Sequence, residues 1–423
     1  MKLDFNHSGR QFFFITKRLH LTLSTLRFYF TAIAVVALLL ALGPCISRAR
    51  YRAKMIAAGF PPSYAEILAK LQYDHPKWVF QPLHVADIPW SRIVARECTP
   101  SWNLVAKTAW APEPWTKLGA ANYTPYYAEN AKAYDSGAWL QASQSAIAYF
   151  MDPRNFLNEA DVFMFETLEF DERSQTREIV EHTLSKTFMA KACYDGGKRT
   201  FSELLVDIGR KLGISPVFLA GRLASEQGAG TVQAQGKIGD SLVSLHSNKV
   251  DRVGGAMVWG NVYTRDAPAT AAVVAKGAAY YNGYYNFFNI GACGLGLFEI
   301  RYNAWREASS AETRAKYCGP WKTQERAIEG GSKLIRERYV ASCRHTRYLQ
   351  KFSVAREAGE FRWKQYMQNI AAPLSEARNV SAAYKAAGHI DAPFRFVIPV
   401  YVGLPAEPCP DPAGGRSVYS PSR

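Results

Sequence analysis

The segment Ser215 to Gly230, SPVFLAGRLASEQGAG, sets the tightest constraint on how this chain folds. Ser215 is a good helix N-cap, and Pro216 suits the first helical position, where its missing N–H costs nothing. Leu219, Leu223 and Glu226 recur at i, i+4 and i+7, on one face with the apolar neighbours Ala220 and Ala224. Gly228 and Gly230 supply a helix stop. The spacing predicts a buried helix with an acid on its core-facing stripe, at its C-terminal end. Burial raises a carboxyl pKa, and the negative end of the helix dipole acts in the same direction. A carboxyl that keeps its proton near neutral pH is what general acid catalysis requires. The bland alternative is a Glu at a helix end reaching into solvent.

A helix of that kind needs a large core, and 423 residues, 48% hydrophobic and 13% aromatic, can supply one. The formal charge of +15 implies an anionic partner: nucleic acid, an acidic membrane surface or an acidic wall polymer. With no long Lys/Arg block and no nucleic-acid motif, the expectation is no nucleic-acid partner. From Phe28 to about Ser47 the chain is apolar and uncharged, FYFTAIAVVALLLALGPCIS, and about 20 such residues can span a bilayer. Lys17, Arg18 and Arg27 precede it and favour a cytoplasmic N-terminus, so an uncleaved signal anchor is expected, with a cleaved leader as competitor. Beyond it stand Cys98, Cys193, Cys293, Cys318, Cys343 and Cys409, which permit up to three disulfides or none; no metal-ligand spacing accompanies them, and neither a metal nor a cofactor is expected.

Five regions follow. Residues 1–27 are a basic cytoplasmic tail, and 28–47 the transmembrane signal anchor. Residues 55–190 form a helical and aromatic-rich N-terminal region, with a capping box at Ser63 and Glu66 and loops through the Trp- and Pro-rich stretch to Leu140. Within it, Met151 to Glu172 reads as a turn and an amphipathic helix that sets Glu159 and Glu166 on a solvated face. Residues 191–390 form the fourth region. It opens on a second capping box, Thr200 and Glu203, and a core face of Phe201, Leu204, Leu205, Ile208 and Leu212, closed by Gly213. Residues 231–283 turn Gly-, Val- and Asn-rich and read as a small β lobe or long hairpin. A helix returns over 323–339 on Ala327, Ile328, Leu334 and Ile335. Residues 391–423 hold the extended FRFVIPVYVGLP and a Pro/Gly/Ser tail expected to be disordered.

About 55 residues beyond Glu226 lies GYYNFFNIGA, Gly283 to Ala292, rich in the rings and amides that stack on and bond to sugars. SPVFLAGRLASEQGAG, this segment, WKTQERAIEGGSKLIRERYV, RHTRYLQKFSV and QYMQNIAAP, in that order along the chain, resemble the bacterial glucosaminidases of glycoside hydrolase family 73, autolysins that cleave peptidoglycan. DHPKWVF, YFMDPRNFLNE and the closing IPVY extend the likeness over most of residues 55–409. The resemblance implies a mainly α, α+β fold: a lysozyme-like helical lobe and a smaller β lobe, with a glycan groove between them. It implies Glu226 as catalytic acid and Tyr285 beside the cleaved bond. Asn286, Phe288 and Asn289 would line the groove, with Trp321 and Tyr348 as further sugar contacts.

The implied enzyme is a membrane-anchored peptidoglycan hydrolase that cuts the β-1,4 bond after N-acetylglucosamine, its catalytic domain outside the cytoplasm. Its partners would be peptidoglycan glycan strands and, through the N-terminal helix, the inner membrane. Glycosidases usually pair two carboxylates, about 5–5.5 Å apart for retention or about 6.5–9.5 Å for inversion. The resembling sequences carry an acid just before GYYNFF, where this chain has Asn282. That leaves Asp240, Asp251, Asp266 or no second carboxylate at all, the last with the substrate's own acetamido oxygen as nucleophile. The rival from another class is an inactive glycan-binding or scaffolding protein on the same fold. No GxSxG nucleophile elbow occurs, and GACGLG lacks the Lys–Ser/Thr ending of a phosphate loop.

Overall fold

A computed structural model describes residues 48–85, 88–106, 139–227, 250–253, 256–259, 263–264, 267–268, 283–292, 297–352, 354, 365–412 and 414. The expected membrane anchor, Asn282, Cys293, Asp240, Asp266 and the C-terminal tail from 415 lie outside them. No helix among the described residues is long and apolar enough to cross a membrane. Two compact units emerge, one ending at Asp74 and one beginning at His75.

In the first unit, residues 48–57 are helical and α1 spans Pro62–Asp74. The capping box expected at Ser63 is not formed. Tyr64 and Ala65 donate to the Pro61 carbonyl, so Ser63 already sits inside the helix, and Glu66 pairs with Arg52 at 3.2 Å instead.

The second unit is mainly helical with small sheets. Its first strand, β1 (Val79–Val85), is followed by α2 (Trp90–Glu97), the short antiparallel pair β2 (Leu104–Ala106) and β3 (Trp139–Gln141), and α3 (Gln144–Met151). The helix expected within Met151–Glu172 is replaced by two 3-10 turns, Pro153–Phe156 and Asp161–Phe165. They bury Asp161, Val162, Phe163, Met164 and Phe165 in succession, and Glu166 is buried rather than solvated.

Next come α4 (Arg177–Leu184), α5 (Phe201–Leu212) and α6 (Pro216–Gln227). The expected capping box opens α5: Thr200 and Glu203 each accept from the other's backbone N–H. Gly213, at φ 67°, ends it in the left-handed conformation that favours glycine. Ser215 then caps α6 by accepting from the Phe218 N–H at 3.2 Å. The turn between the two helices is tight because Gly209 has no side chain; a Cβ there would meet Ile214 O at 2.8 Å and Pro216 Cδ at 2.9 Å.

Part of the expected β lobe appears as two antiparallel ladders, β4 (Val250–Val253) with β5 (Ala256–Trp259), and β6 (Tyr263–Thr264) with β7 (Ala267–Pro268). Helices α7 (Leu297–Ser309), α8 (Ala311–Lys316), α9 (Gln324–Arg338), α10 (Arg347–Lys351) and α11 (Ala372–Ala386) follow, before β8 (Arg395–Tyr401) closes the unit. Helix α9 buries the expected Ala327, Ile328, Leu334 and Ile335.

Strand β8 pairs in parallel with β1, Val79 opposite Arg395 through Val85 opposite Tyr401. Trp78, fully buried at the head of β1, packs against Phe80, Phe163, Phe394 and Phe396, with ring centroids 5.1–6.4 Å apart. These contacts run across the boundaries expected at 190 and 390. The described cysteines, Cys98, Cys193, Cys318, Cys343 and Cys409, are free thiols.

Candidate active site

Glu226 is the penultimate residue of α6, half-buried, at the helix's C-terminal end. Burial raises its carboxyl pKa above the ordinary value. A hydrogen bond from Asn289 and the charge of Arg222 oppose the rise; the charge of Glu376 adds to it. Asn289 Nδ2 donates to Glu226 Oε2 at 2.9 Å.

The segment GYYNFFNIGA is pinned to this helix end at two points. Beside the Asn289 contact, Gln227 Nε2 donates to the Phe287 carbonyl at 2.6 Å. These bonds bring together two segments some sixty residues apart. Within the loop, Asn286 shapes the turn: its Oδ1 accepts from Ile290 N at 3.0 Å, and its Nδ2 donates to Ile290 O at 2.8 Å. That turn holds Asn289 at φ 49°, a conformation asparagine tolerates better than most residues. Tyr285 is half-exposed, its N–H bonded to the Trp321 carbonyl at 2.9 Å and its ring parallel to Phe287, 15° between planes.

Four residues expected to face sugar do other work in this structure. Asn286 and Phe288 are each 3% exposed, Asn286 spent on its own turn and Phe288 seated against Gly331 of α9. Trp321 is fully buried; its indole N–H donates to the Tyr317 carbonyl at 2.7 Å. Tyr348 is also fully buried, its hydroxyl bonded to the Met151 carbonyl and to the Tyr401 hydroxyl. Aromatic composition alone does not separate a stacking platform from a core wedge, and here tight packing decides for the wedge.

Arg222, Glu376 and Tyr366 were not singled out from the sequence, yet all three carry charge or polarity to Glu226. Arg222 lies one turn before Glu226 on α6, so helix arithmetic alone pointed to it. Its guanidinium pairs with Glu376 Oε1 at 2.8 Å, donates to Gln350 Oε1 at 2.9 Å and stacks 4.1 Å from the Tyr366 ring centroid. Tyr366 is held well above the usual phenol range, first by burial, with Arg222 opposing and Glu226 among the charges that add to it. Glu376 and Tyr366 lie about 150 residues further on, and only the motif QYMQNIAAP hinted at that stretch.

Of the acids considered as a second carboxylate, Asp251 falls on β4, and Asp240 and Asp266 lie outside the described residues. No cluster of three or more His, Cys, Asp or Glu side chains suited to a metal occurs among the described residues.

No family model and no curated protein matches the chain. Among solved structures it is similar to S. aureus glucosaminidase B, at 16% identity over 76% of this chain and 94% of that one, with a TM-score of 0.41. A major bifunctional autolysin gives 16% identity, 77% and 99% coverage, and a TM-score of 0.40. A catalytic mutant of S. aureus autolysin E in complex with the disaccharide NAG-NAM gives 14%, 72% and 94%, and 0.39.

Proposed function

We propose that this chain is a peptidoglycan hydrolase that cleaves the β-1,4 bond after N-acetylglucosamine, with Glu226 as general acid. The observation that carries the reading is one carboxyl: half-buried, raised in pKa, and held by an amide from a loop rich in rings. Such a group keeps its proton toward neutral pH and can deliver it to a departing glycosidic oxygen. Asn289 fixes the direction of Glu226, and the half-exposed Tyr285 borders the reacting sugar. The described carboxylate coupled to Glu226, Glu376, is engaged by arginines at both oxygens, 2.8 Å to Arg222 and 3.8 Å to Arg347. That engagement makes Glu376 a poor nucleophile; the route in which the sugar's acetamido oxygen attacks needs no protein nucleophile. The resemblance supports peptidoglycan as the polymer, and a charge of +15 suits an acidic one. The apolar run 28–47 acts in this reading as a signal anchor that keeps the catalytic unit outside the cytoplasm, close to the membrane.

The test is release of reducing ends from purified peptidoglycan, with mass analysis of the fragments. Wild-type protein should release fragments that end in reducing N-acetylglucosamine, and a folded Glu226→Gln variant should lose at least about a hundredfold in rate. Wild-type rate in that variant would sink the assignment. Binding by the wild type without any release would instead favour the inactive scaffold.

A further inference from the structure

Four buried or nearly buried charges form a line that ends one helical turn from Glu226. Glu166 accepts from the Tyr384 hydroxyl at 2.7 Å and pairs with Arg347 at 2.8 Å. Arg347 faces Glu376 at 3.8 Å, and Glu376 pairs with Arg222 at 2.8 Å. The side chains of Arg347 and Glu166 are 1% and 3% exposed, and those of Arg222 and Glu376 are 4% and 11% exposed. Acids and arginines alternate along the line, and burial raises the Glu166 carboxyl at its far end against the pull of Arg347 and Tyr384. It draws on four places in the fold: the end of the second 3-10 turn, α10, α11 and α6.

Arg222 is the member that matters to the reaction, because i and i+4 on a helix are neighbours. Left alone, a guanidinium there would hold the Glu226 carboxyl ionised, and an ionised carboxylate cannot donate a proton. We propose that Glu376 is a positioning residue for catalysis: by neutralising Arg222 it keeps Glu226 a proton donor. The inference rests on the reading of Glu226 as general acid. The groups facing Glu226 are Arg222 on its own helix, Glu376 on α11, Tyr366 on the segment leading into α11, and Asn289 on the aromatic loop. Of these, Glu376 alone is an acid. Its removal therefore leaves one uncompensated cation beside the catalytic carboxyl, and the sign of the effect is set.

A general acid loses activity as pH rises through its pKa. In Glu376→Gln the unmasked Arg222 makes Glu226 ionise at lower pH, so the alkaline limb of kcat/KM moves down and neutral-pH activity falls about tenfold relative to acid pH. Arg222→Gln should move the limb up, and Arg222→Gln/Glu376→Gln should bring it back toward wild type. Glu376→Asp, which keeps the charge, should stay near wild type. The Glu226 carboxyl is read directly by 13C NMR of Glu-labelled protein, its resonance assigned by loss in Glu226→Gln. A downward-shifted titration in Glu376→Gln supports the proposal; an unchanged titration overturns it. A titration that shifts while the rate profile does not supports the charge coupling and refutes Glu226 as the acid, so the two failures are distinguishable. Removing one partner of a buried pair is destabilising. If Glu376→Gln does not fold, Arg222→Gln decides: a limb or titration that fails to move up overturns the proposal.

Discussion

At the scale of single residues, the site is a balance around one proton. Burial pushes the Glu226 carboxyl up, and the Asn289 amide pulls it down by donating to the charged form. The same asparagine holds a left-handed backbone at φ 49°, so it does two jobs that a substitution can separate. Asn289→Gly keeps the backbone easy and deletes the amide; the alkaline limb should move to higher pH, because the ionised form of Glu226 has lost a donor. Asn289→Ala deletes the amide and also strains the turn, at a cost of about 1 kcal/mol. A pH–rate profile and a melting curve on both variants separate the effects. A limb unmoved in Asn289→Gly would mean the 2.9 Å hydrogen bond does not act on the acid. Glu226 itself was legible from its helix spacing, and Asn289 from its motif. Arg222 was within reach of the same spacing, since it sits four residues before Glu226. Glu376 was not: on α11 it reads as one more acid on a partly polar helix, and only its pairing across the fold gives it a role.

At the scale of elements, legibility followed locality except at Ser63 and Glu66, where the helix already begins at Pro62 and no capping box forms. The cap of α5, the Ser215 cap of α6 and the buried stripe of α9 depend on residues within one or two turns of each other, and each appears where the pattern put it. The stretch 151–172 failed because its apolar run is buried on every side, and a helical period has no meaning for a segment without a polar face. Helix α9 carries a device that periodicity does not reveal. Gly330 and Gly331 sit mid-helix, where glycine costs about 1 kcal/mol against alanine. They remain because a Cβ at Gly330 would run into the Tyr317 carbonyl and the Trp321 indole nitrogen, and one at Gly331 would stand 2.5 Å from Phe288 Cδ2. Trp321 in turn accepts the Tyr285 N–H, and Phe288 precedes Asn289, so these two glycines let α9 support the loop that reaches Glu226. Gly331→Ala should therefore destabilise by about 1–3 kcal/mol despite its better helix propensity. Urea unfolding measures this. Activity per folded molecule should fall as well, because displacing Phe288 displaces its neighbour. A stabilised variant of undiminished activity would mean that the close packing at Gly331 does not matter.

At the scale of the whole second unit, the ends of the chain segment are part of its core. Parallel strands need a long connection, and here the connection between β1 and β8 is nearly everything else, including α6 and the aromatic loop. The closing residues also satisfy a buried pair: Arg154 donates to the Ala406 and Glu407 carbonyls at 2.9 Å each, and Asp152 accepts from Cys409 N at 2.9 Å. Asp152 and Arg154 are 0% and 1% exposed at their side chains, so removing those partners strips bonds from charges that water does not reach. Motifs read along the sequence suggested a catalytic region of 191–390, because nothing local marks β1 and β8 as partners across more than 300 residues. The physical expectation is different. A fragment of residues 191–390 lacks β1, β8, Trp78 and Phe163, and strips α4 from α6 and both α4 and the second 3-10 turn from α11. It should show no cooperative unfolding and no near-ultraviolet circular dichroism signal, whereas residues 75–412 should show both. Deleting only 391–412 from the longer chain should have nearly the same effect as the larger cut, since it removes Phe394 and Phe396 from around Trp78 together with the Arg154 acceptors. A 191–390 fragment that unfolds cooperatively and releases reducing ends would show instead that the strand pair is an accessory to the hydrolase and not part of its core.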